Sequence, residues 1–143
     1  MHLTAIEFAS LIRDLKCDAR PDERRANPRA PTRSRVQVIP VVPGTRAPVA
    51  QSIRVRDISR NGLGLVTSER IEEGSRMLVM LPKSATETFV LLCEVARATR
   101  LQADAYGIGV RMVRRVTDSE RIAFLRGSAD AVGSLLTAVA DAA

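Results

Sequence analysis

Two short polar segments of this sequence have residue types and spacings suited to binding an anion. Arg25 and Arg29 are separated by three residues in "ERRANPRAP", and Pro28 disfavours helical conformation just before it. In the second segment, "DISRNG", Asp57 stands two residues before Ser59. Arg can donate paired hydrogen bonds to phosphate or to the O6 and N7 acceptors of guanine, and a carboxylate can accept from the guanine N1–H and N2–H donors. Together the two segments suit a guanine-bearing anion.

Each segment also has a purely structural interpretation. Arginines four positions apart recur elsewhere in the chain, and what distinguishes Arg25 and Arg29 is their exposed, Pro-bearing stretch before the first strand. In the second segment, Asn61 followed by Gly62 is a strong hairpin signal, with Gly62 expected to adopt a positive φ. The Asp and Ser of that segment would then cap backbone amides of the turn. The residues alone leave both interpretations open.

The composition favours an anionic partner and gives no support to metal or enzyme chemistry. The chain has 22 basic and 16 acidic residues, a formal charge of +6, and Lys only at positions 16 and 83. An Arg-rich surface without a ligand is an equal explanation of that charge. Cys17, Cys93 and the terminal His2 are too few and too far apart for a metal site. Because the sequence has no nucleophile elbow and no phosphate-cradling Gly-rich loop, we expect neither a cofactor nor catalysis.

The bulk pattern is that of one small globular domain. Hydrophobic residues make up 45% of the 143 residues. No stretch approaches the roughly 18 to 20 apolar residues of a membrane span, and the amino terminus lacks the basic and apolar regions of a signal peptide. We therefore expect a cytoplasmic protein with one domain and short appendages.

A helical extension and an Arg-rich arm are predicted before the first strand. Residues 1–20 carry apolar residues at helical spacing, which predicts a short amphipathic helix. Those residues are Phe8, Leu11, Ile12 and Leu15. Their shared face is equally suited to packing on the domain or to contacting a partner. Residues 21–35 are charged and Pro-bearing and show no apolar periodicity, which is typical of an exposed arm.

The remainder predicts strands followed by a helix. Residues 32–116 alternate short β-rich runs with turn signals, which indicates an antiparallel barrel or sandwich of about six strands. Residues 117–143 are predicted as one helix that begins at a capping box of Thr117 and Glu120 and covers an end or face of the barrel. Its apolar stripe consists of Ile122, Leu125, Ala129, Val132, Leu136 and Val139. The stripe leaves a homodimer open as well, although Gly127 and Gly133 disfavour a coiled-coil seam.

In this order and on this strand pattern, the two polar segments resemble the PilZ domain family. The Arg-x-x-x-Arg of Arg25 and Arg29 precedes the first strand, and the Asp-x-Ser-x-x-Gly that begins at Asp57 follows 28 residues after Arg29. The similarity covers about residues 22–125 and includes "YGIGVRMV", which is similar to the closing strand of PilZ barrels. The resemblance implies a mainly β fold, a six-stranded antiparallel β-barrel with a C-terminal α-helix, preceded here by the short N-terminal helix.

The resemblance also implies a non-enzymatic receptor for the bacterial second messenger cyclic di-GMP. The ligand-binding residues that it implies are Arg24, Arg25, Arg29, Asp57, Ser59 and Gly62. The paired Arg would contact phosphates and guanine faces, Asp57 and Ser59 a guanine edge, and Gly62 would form the turn that presents them. Arg24 would add a stacking or phosphate contact. A small domain of this kind implies an adaptor whose surface changes on binding and which regulates an unidentified protein partner.

Two other functions stay open at the level of sequence. The Arg-rich arm would bind nucleic acid through its phosphates, but aromatic residues are only 3% of the chain and provide no stacking platform. A PilZ-like domain that has lost its ligand would serve only as a protein adaptor. Titration with the dinucleotide separates these alternatives from the receptor.

Overall fold

The structure is a computed structural model that describes residues 1–15, 30–31, 34–44, 47–82 and 87–139. These residues form seven strands and three helices. In chain order the elements are α1 (Ala5–Asp14), β1 (Ala30–Pro31), β2 (Arg35–Val41), β3 (Gln51–Ile58), β4 (Gly62–Thr67), β5 (Arg76–Pro82), β6 (Thr88–Gln102), β7 (Ala105–Val116), α2 (Asp118–Leu125) and α3 (Ala129–Thr137).

Strands β2 to β7 close into a six-stranded antiparallel barrel. The hydrogen-bonded order is β3-β2-β5-β6-β7-β4, and β4 pairs with β3 to complete the ring. Alternate residues of each strand point inward, so that Val55, Leu65 and Ile108 are buried in one interior cluster. The two-residue strand β1 pairs with the last residues of β3. The predicted fold is confirmed.

The carboxy-terminal segment forms two helices instead of the single helix expected. Gly127 has φ 81°, and the amides of Gly127 and Ser128 donate to the carbonyls of Phe124 and Ala123, which is a Schellman motif. The Ser128 hydroxyl then caps α3 by accepting from the amide of Ala131. A glycine that is free to adopt a left-handed conformation therefore ends α2, and the chain turns before it resumes as α3.

This break changes which apolar residues are buried. Phe124, Val132 and Leu135 pack on the outer face of β2, β5, β6 and β7. Ile122 and Val139 of the predicted stripe are instead 43% and 83% exposed. Helices α2 and α3 cover a face of the barrel, which is one of the roles predicted for this segment. In the described residues they do not form the continuous apolar stripe that a coiled-coil seam requires.

Helix α1 packs its apolar face on the barrel. Leu11 is fully buried and Leu15 is 3% exposed, and both belong to the interior cluster of the barrel. Thr4 caps the helix in a reciprocal box with Glu7. The Arg115 guanidinium at the end of β7 donates to the Glu7 carboxylate. The sequence left open whether this face packs on the domain or contacts a partner, and in the structure it packs on the domain.

Acid should weaken the docking of α1. The hydrogen bond from Arg115 lowers the pKa of Glu7 from 4.5 to about 2. A lowered carboxyl pKa stabilises the fold above pH 4.5, and this contribution is lost as the pH falls toward 2. In urea unfolding, wild-type protein should therefore be more stable than Glu7→Gln at pH 7, and the difference should close as the pH is lowered toward 2. A difference that is constant with pH would contradict the assignment.

Candidate functional site

The predicted polar turn joins β3 to β4 at one end of the barrel. Ser59 is 5% exposed, and its hydroxyl donates to Asn61 Oδ1 at 2.8 Å. Its amide donates to the carbonyl of Gly62 at 2.9 Å, which closes the turn. This geometry agrees with the turn-stabilising role of Ser59. Ser59 is also among the residues that line a cleft beside the turn.

The role expected for Gly62 is corrected by its backbone conformation. Among the described glycines, those with positive φ are Gly44, Gly74 and Gly127, so Gly62 does not take the left-handed conformation that the hairpin signal suggested. A Cβ at Gly62 would instead lie 2.6 Å from the carbonyl oxygen of Val110 on β7. Glycine is needed at this position because β4 and β7 approach each other closely, not because the turn is left-handed.

Asp57 lies over a second glycine of β4. Asp57 and Gly64 are register partners, and a Cβ on Gly64 would lie 2.6 Å from Asp57 Oδ1. The absence of a side chain at Gly64 therefore lets the carboxylate rest against the backbone of β4. Asp57 is partly exposed there, on the outer surface of the barrel.

A row of outward-facing glycines continues from this carboxylate across the barrel surface. Leu63, Leu65, Ile108 and Val110 point inward, so the glycines that alternate with them point outward. We call Gly62, Gly64, Gly107 and Gly109 the glycine floor. Gly64 pairs with Gly109, and Gly109 pairs with Arg97 on β6. One row of register partners thus runs from Asp57, whose carboxylate covers Gly64, across Gly109 to Arg97.

A cleft of about 320 Å³ lies over two of these glycines, Gly62 and Gly109. Its lining includes Ser59, Asn61 and Gly62 from the turn, Arg97 from β6, and Gly109 and Arg111 from β7. The Arg111 side chain is 56% exposed and donates to Glu94 Oε1 at 3.0 Å. Burial raises the pKa of Glu94, but hydrogen bonds from Arg76 and Arg111 outweigh it and hold that pKa below its usual value. The cleft thus combines Ser59 and Asn61 of the turn with two arginines, and Asp57 lies outside its lining.

Arg97 was not identified as a ligand residue from the sequence, and the sequence does not decide whether Arg111 faces solvent or the ligand. The signal that could have found them is the paired glycine alternation of "GLGLV" and "YGIGV", because two neighbouring strands with outward glycines make a bare surface. The register that sets Arg97 beside this surface depends on an irregularity between Val95 and Arg97. No local pattern in the sequence reveals such a shift.

The neighbouring arginines of β7 have structural partners. Arg114 makes two hydrogen bonds to the Glu120 carboxylate, at 3.0 and 2.6 Å, and so fastens the start of α2. Arg115 pairs with Glu7 and lies 5.3 Å from the centre of the Phe89 ring. Neither residue lines the cleft.

The arginines of the first motif lie outside the described residues. Those residues are Arg24, Arg25 and Arg29. The two residues immediately after Arg29 form β1: Ala30 is the register partner of Ile58, and Pro31 is the partner of Asp57. The end of the Arg-rich arm therefore runs alongside the strand that carries the acid of the second motif.

A larger cleft, of about 820 Å³, opens at the opposite end of the barrel. It lies between the start of β3, the end of β4 and the start of β5, and Arg54 and Arg70 are among its lining residues. The predicted residues Asp57, Ser59 and Gly62 do not line it. The two clefts are thus separate surfaces of the molecule.

Other chemistry finds no support in the described part of the chain. Within those ranges, the structure places no three His, Cys, Asp or Glu residues where they could hold a metal ion. Cys93 is fully buried, and burial raises the pKa of its thiol to about 12, as expected of a core residue. In the same ranges, no helix is long and apolar enough to cross a membrane.

Fold and site together define a closed β-barrel module with a polar turn, a basic cleft at one end and helices packed outside. The family model described as PilZ domain matches residues 23–129. The match includes both polar segments, and the chain belongs to the PilZ domain family, which is a family of cyclic di-GMP receptors. No curated relative matches the chain.

Proposed function

We propose that this protein is a non-enzymatic, cytoplasmic receptor for cyclic di-GMP whose surface changes on binding and thereby regulates a protein partner. The observation that carries the proposal is the pairing of β1 with the end of β3. It brings the residue after Arg29 beside Ile58, one position from Asp57. The two residues that directly follow the first motif therefore pair with the strand that carries the acid of the second.

Each residue has a chemical role in the proposed complex. Arg25 and Arg29 bind the two phosphates and the guanine faces, and Arg24 adds a contact beside them. Asp57 accepts hydrogen bonds from a guanine Watson–Crick edge, and Ser59 contributes an acceptor from the turn that Gly62 holds against β7. Charged hydrogen bonds of this type contribute about 1.5 to 3 kcal/mol each.

The cleft extends this site beyond the two motifs. A planar base lies best on a surface without side chains, and Gly109 offers one beside Arg97, because a Cβ there would meet no atom closer than 3.9 Å. Arg97 and Arg111 supply positive charge on the far side, where a guanidinium can stack on a base or pair with a phosphate. The ligand thus neutralises a strongly basic surface, and this change of charge is what a partner would detect.

Isothermal titration calorimetry of the full chain tests the proposal. Cyclic di-GMP should bind saturably, and cyclic di-AMP should bind at least about tenfold more weakly, because adenine lacks the N1–H and N2–H donors that a carboxylate accepts. Equal affinity for both dinucleotides would contradict the guanine site. Binding of duplex DNA that falls steeply with salt, without binding of the dinucleotide, would support the nucleic-acid alternative. Absence of both would leave the protein-adaptor function.

Placing a methyl group on the glycine floor should block the ligand without harming the fold. A Cβ at Gly109 would meet nothing closer than Arg97 atoms at 3.9 Å, so alanine fits there. It would nevertheless occupy the cleft, and we expect the affinity of Gly109→Ala for cyclic di-GMP to fall at least about fivefold. Calorimetry and thermal unfolding measure the two properties on the same sample.

The matched control is Gly133→Ala, because Gly133 lies on α3 and a Cβ there has no atom within 4 Å. That variant should bind as wild type does. Unchanged affinity in Gly109→Ala would show that the ligand does not lie on the floor.

A further inference from the structure

The turn of the proposed site is bonded directly to the amino terminus of the chain. The amide of Leu3 donates to the carbonyl of Arg60 at 2.6 Å, and Arg60 Nε donates to the carbonyl of Leu3 at 2.9 Å. Arg60 lies inside the second motif, immediately after Ser59. One residue of the turn thus satisfies both backbone groups of a fully buried leucine.

A second set of bonds ties the same turn to β7 and to the first residue. The amide of Met112 donates to the carbonyl of Asn61 at 2.8 Å. The amino group of Met1 donates to the carbonyl of Met112 at 3.4 Å. The turn is therefore held between β7 and residues 1–3, and its conformation depends on where those residues lie.

The far end of the same segment is fixed close to the Arg-rich arm. The Ser34 hydroxyl donates to the carbonyl of Leu15, the residue that caps α1. Residues 16–33, which contain Arg25 and Arg29, join these two points in the sequence. The docked segment is consequently bonded to the turn through Leu3 and to Ser34, just before β2, through Leu15.

We propose that residues 1–15, the N-terminal segment, regulate the ligand site through Arg60, which acts as a positioning residue. While the segment is docked, Arg60 holds the turn in its binding geometry. When the segment undocks, Arg60 loses its two hydrogen bonds with the backbone of Leu3. The turn is then less ordered, and the cost of ordering it reduces the affinity for the ligand. Because linkage is reciprocal, the ligand must also strengthen the docking of the segment. This inference rests on the proposed function and names the regulation of that same site.

Two pairs of variants test the regulation by calorimetry with cyclic di-GMP, at a temperature where circular dichroism shows the barrel to be folded. Arg60→Ala should weaken binding at least about fivefold, the lower range of ordinary coupling between sites, and Arg60→Lys, which keeps a donor, should restore most of it. Leu11→Ala, which loosens α1 without touching the turn, should weaken binding as well. Ile6→Ala on the same helix, at a position 84% exposed, should not.

Amide hydrogen exchange distinguishes regulation by the N-terminal segment from a merely structural role of the same residues. Saturating cyclic di-GMP should slow exchange at Leu3 and Leu11 several-fold in wild-type protein. Unchanged exchange there, or affinity unaffected by both Arg60→Ala and Leu11→Ala, would overturn the regulation.

If wild-type protein does not bind cyclic di-GMP, the proposed function fails, and the coupling is then decided without ligand. Arg60→Ala and Leu11→Ala should each speed exchange of the Ser59 amide relative to Ile6→Ala. Equal Ser59 exchange in all three would overturn the coupling itself.

Discussion

Replacing Arg29 with alanine should weaken the binding of cyclic di-GMP at least about tenfold, because the side chain supplies charged hydrogen bonds worth about 1.5 to 3 kcal/mol each. Its sequence neighbour Ala30 is paired with Ile58, at the end of the strand that carries Asp57. Arg25→Ala should have an effect of the same size. Calorimetry on each variant measures the change in Kd.

Arg13→Ala is the matched control for the loss of one positive charge. The Arg13 side chain is 78% exposed on α1 and lines neither cleft. It should bind with wild-type affinity, and all three variants should unfold at the wild-type temperature. If both motif variants bound as tightly as Arg13→Ala does, the arm would have no part in the site.

Replacing Gly62 with alanine should destabilise the protein by about 1 to 3 kcal/mol, the usual cost of forcing a methyl group into a packed region. The added Cβ would lie 2.6 Å from the backbone oxygen of Val110, and backbone cannot rotate away as a side chain can. Strands β4 and β7 would have to separate, and Ser59 would move with them. Urea unfolding measures the stability, and the same variant should also lose affinity for the ligand.

Gly133→Ala should instead raise the free energy of unfolding. Gly133 lies within α3 with open space around it, and alanine is favoured over glycine inside a helix by about 0.5 to 1 kcal/mol. A Gly62→Ala variant as stable as Gly133→Ala would mean that close approach of β7 is not what requires glycine.

The fold could be predicted from the sequence because its signals are local. Alternating apolar residues give the inward faces of the strands, and the pair Thr117 and Glu120 marks the start of α2, where the structure has the capping box. The break at Gly127 was harder to predict. A glycine inside an apolar stripe is compatible either with a continuous but weakened helix or with a helix that ends in a Schellman motif. The tertiary packing of Phe124 and Leu135 favours the helix end.

The candidate site could be predicted only in part. The spacing of Asp57, Ser59 and Gly62 identifies the turn, which the structure places between β3 and β4. The reason for Gly62 and the presence of Arg97 depend on what lies across the barrel, on β7 and β6. Such contacts join residues distant in sequence and are set by register, so no window along the chain contains them.

Amide nuclear magnetic resonance of the full chain during titration with cyclic di-GMP tests the central claim most directly, because it reports where the ligand binds. We expect saturable shifts concentrated at Ser59, Gly62 and Gly109, with Gly133 unmoved. Shifts centred instead on Arg54 and Arg70, at the opposite end of the barrel, or no shifts at saturating dinucleotide, would contradict it.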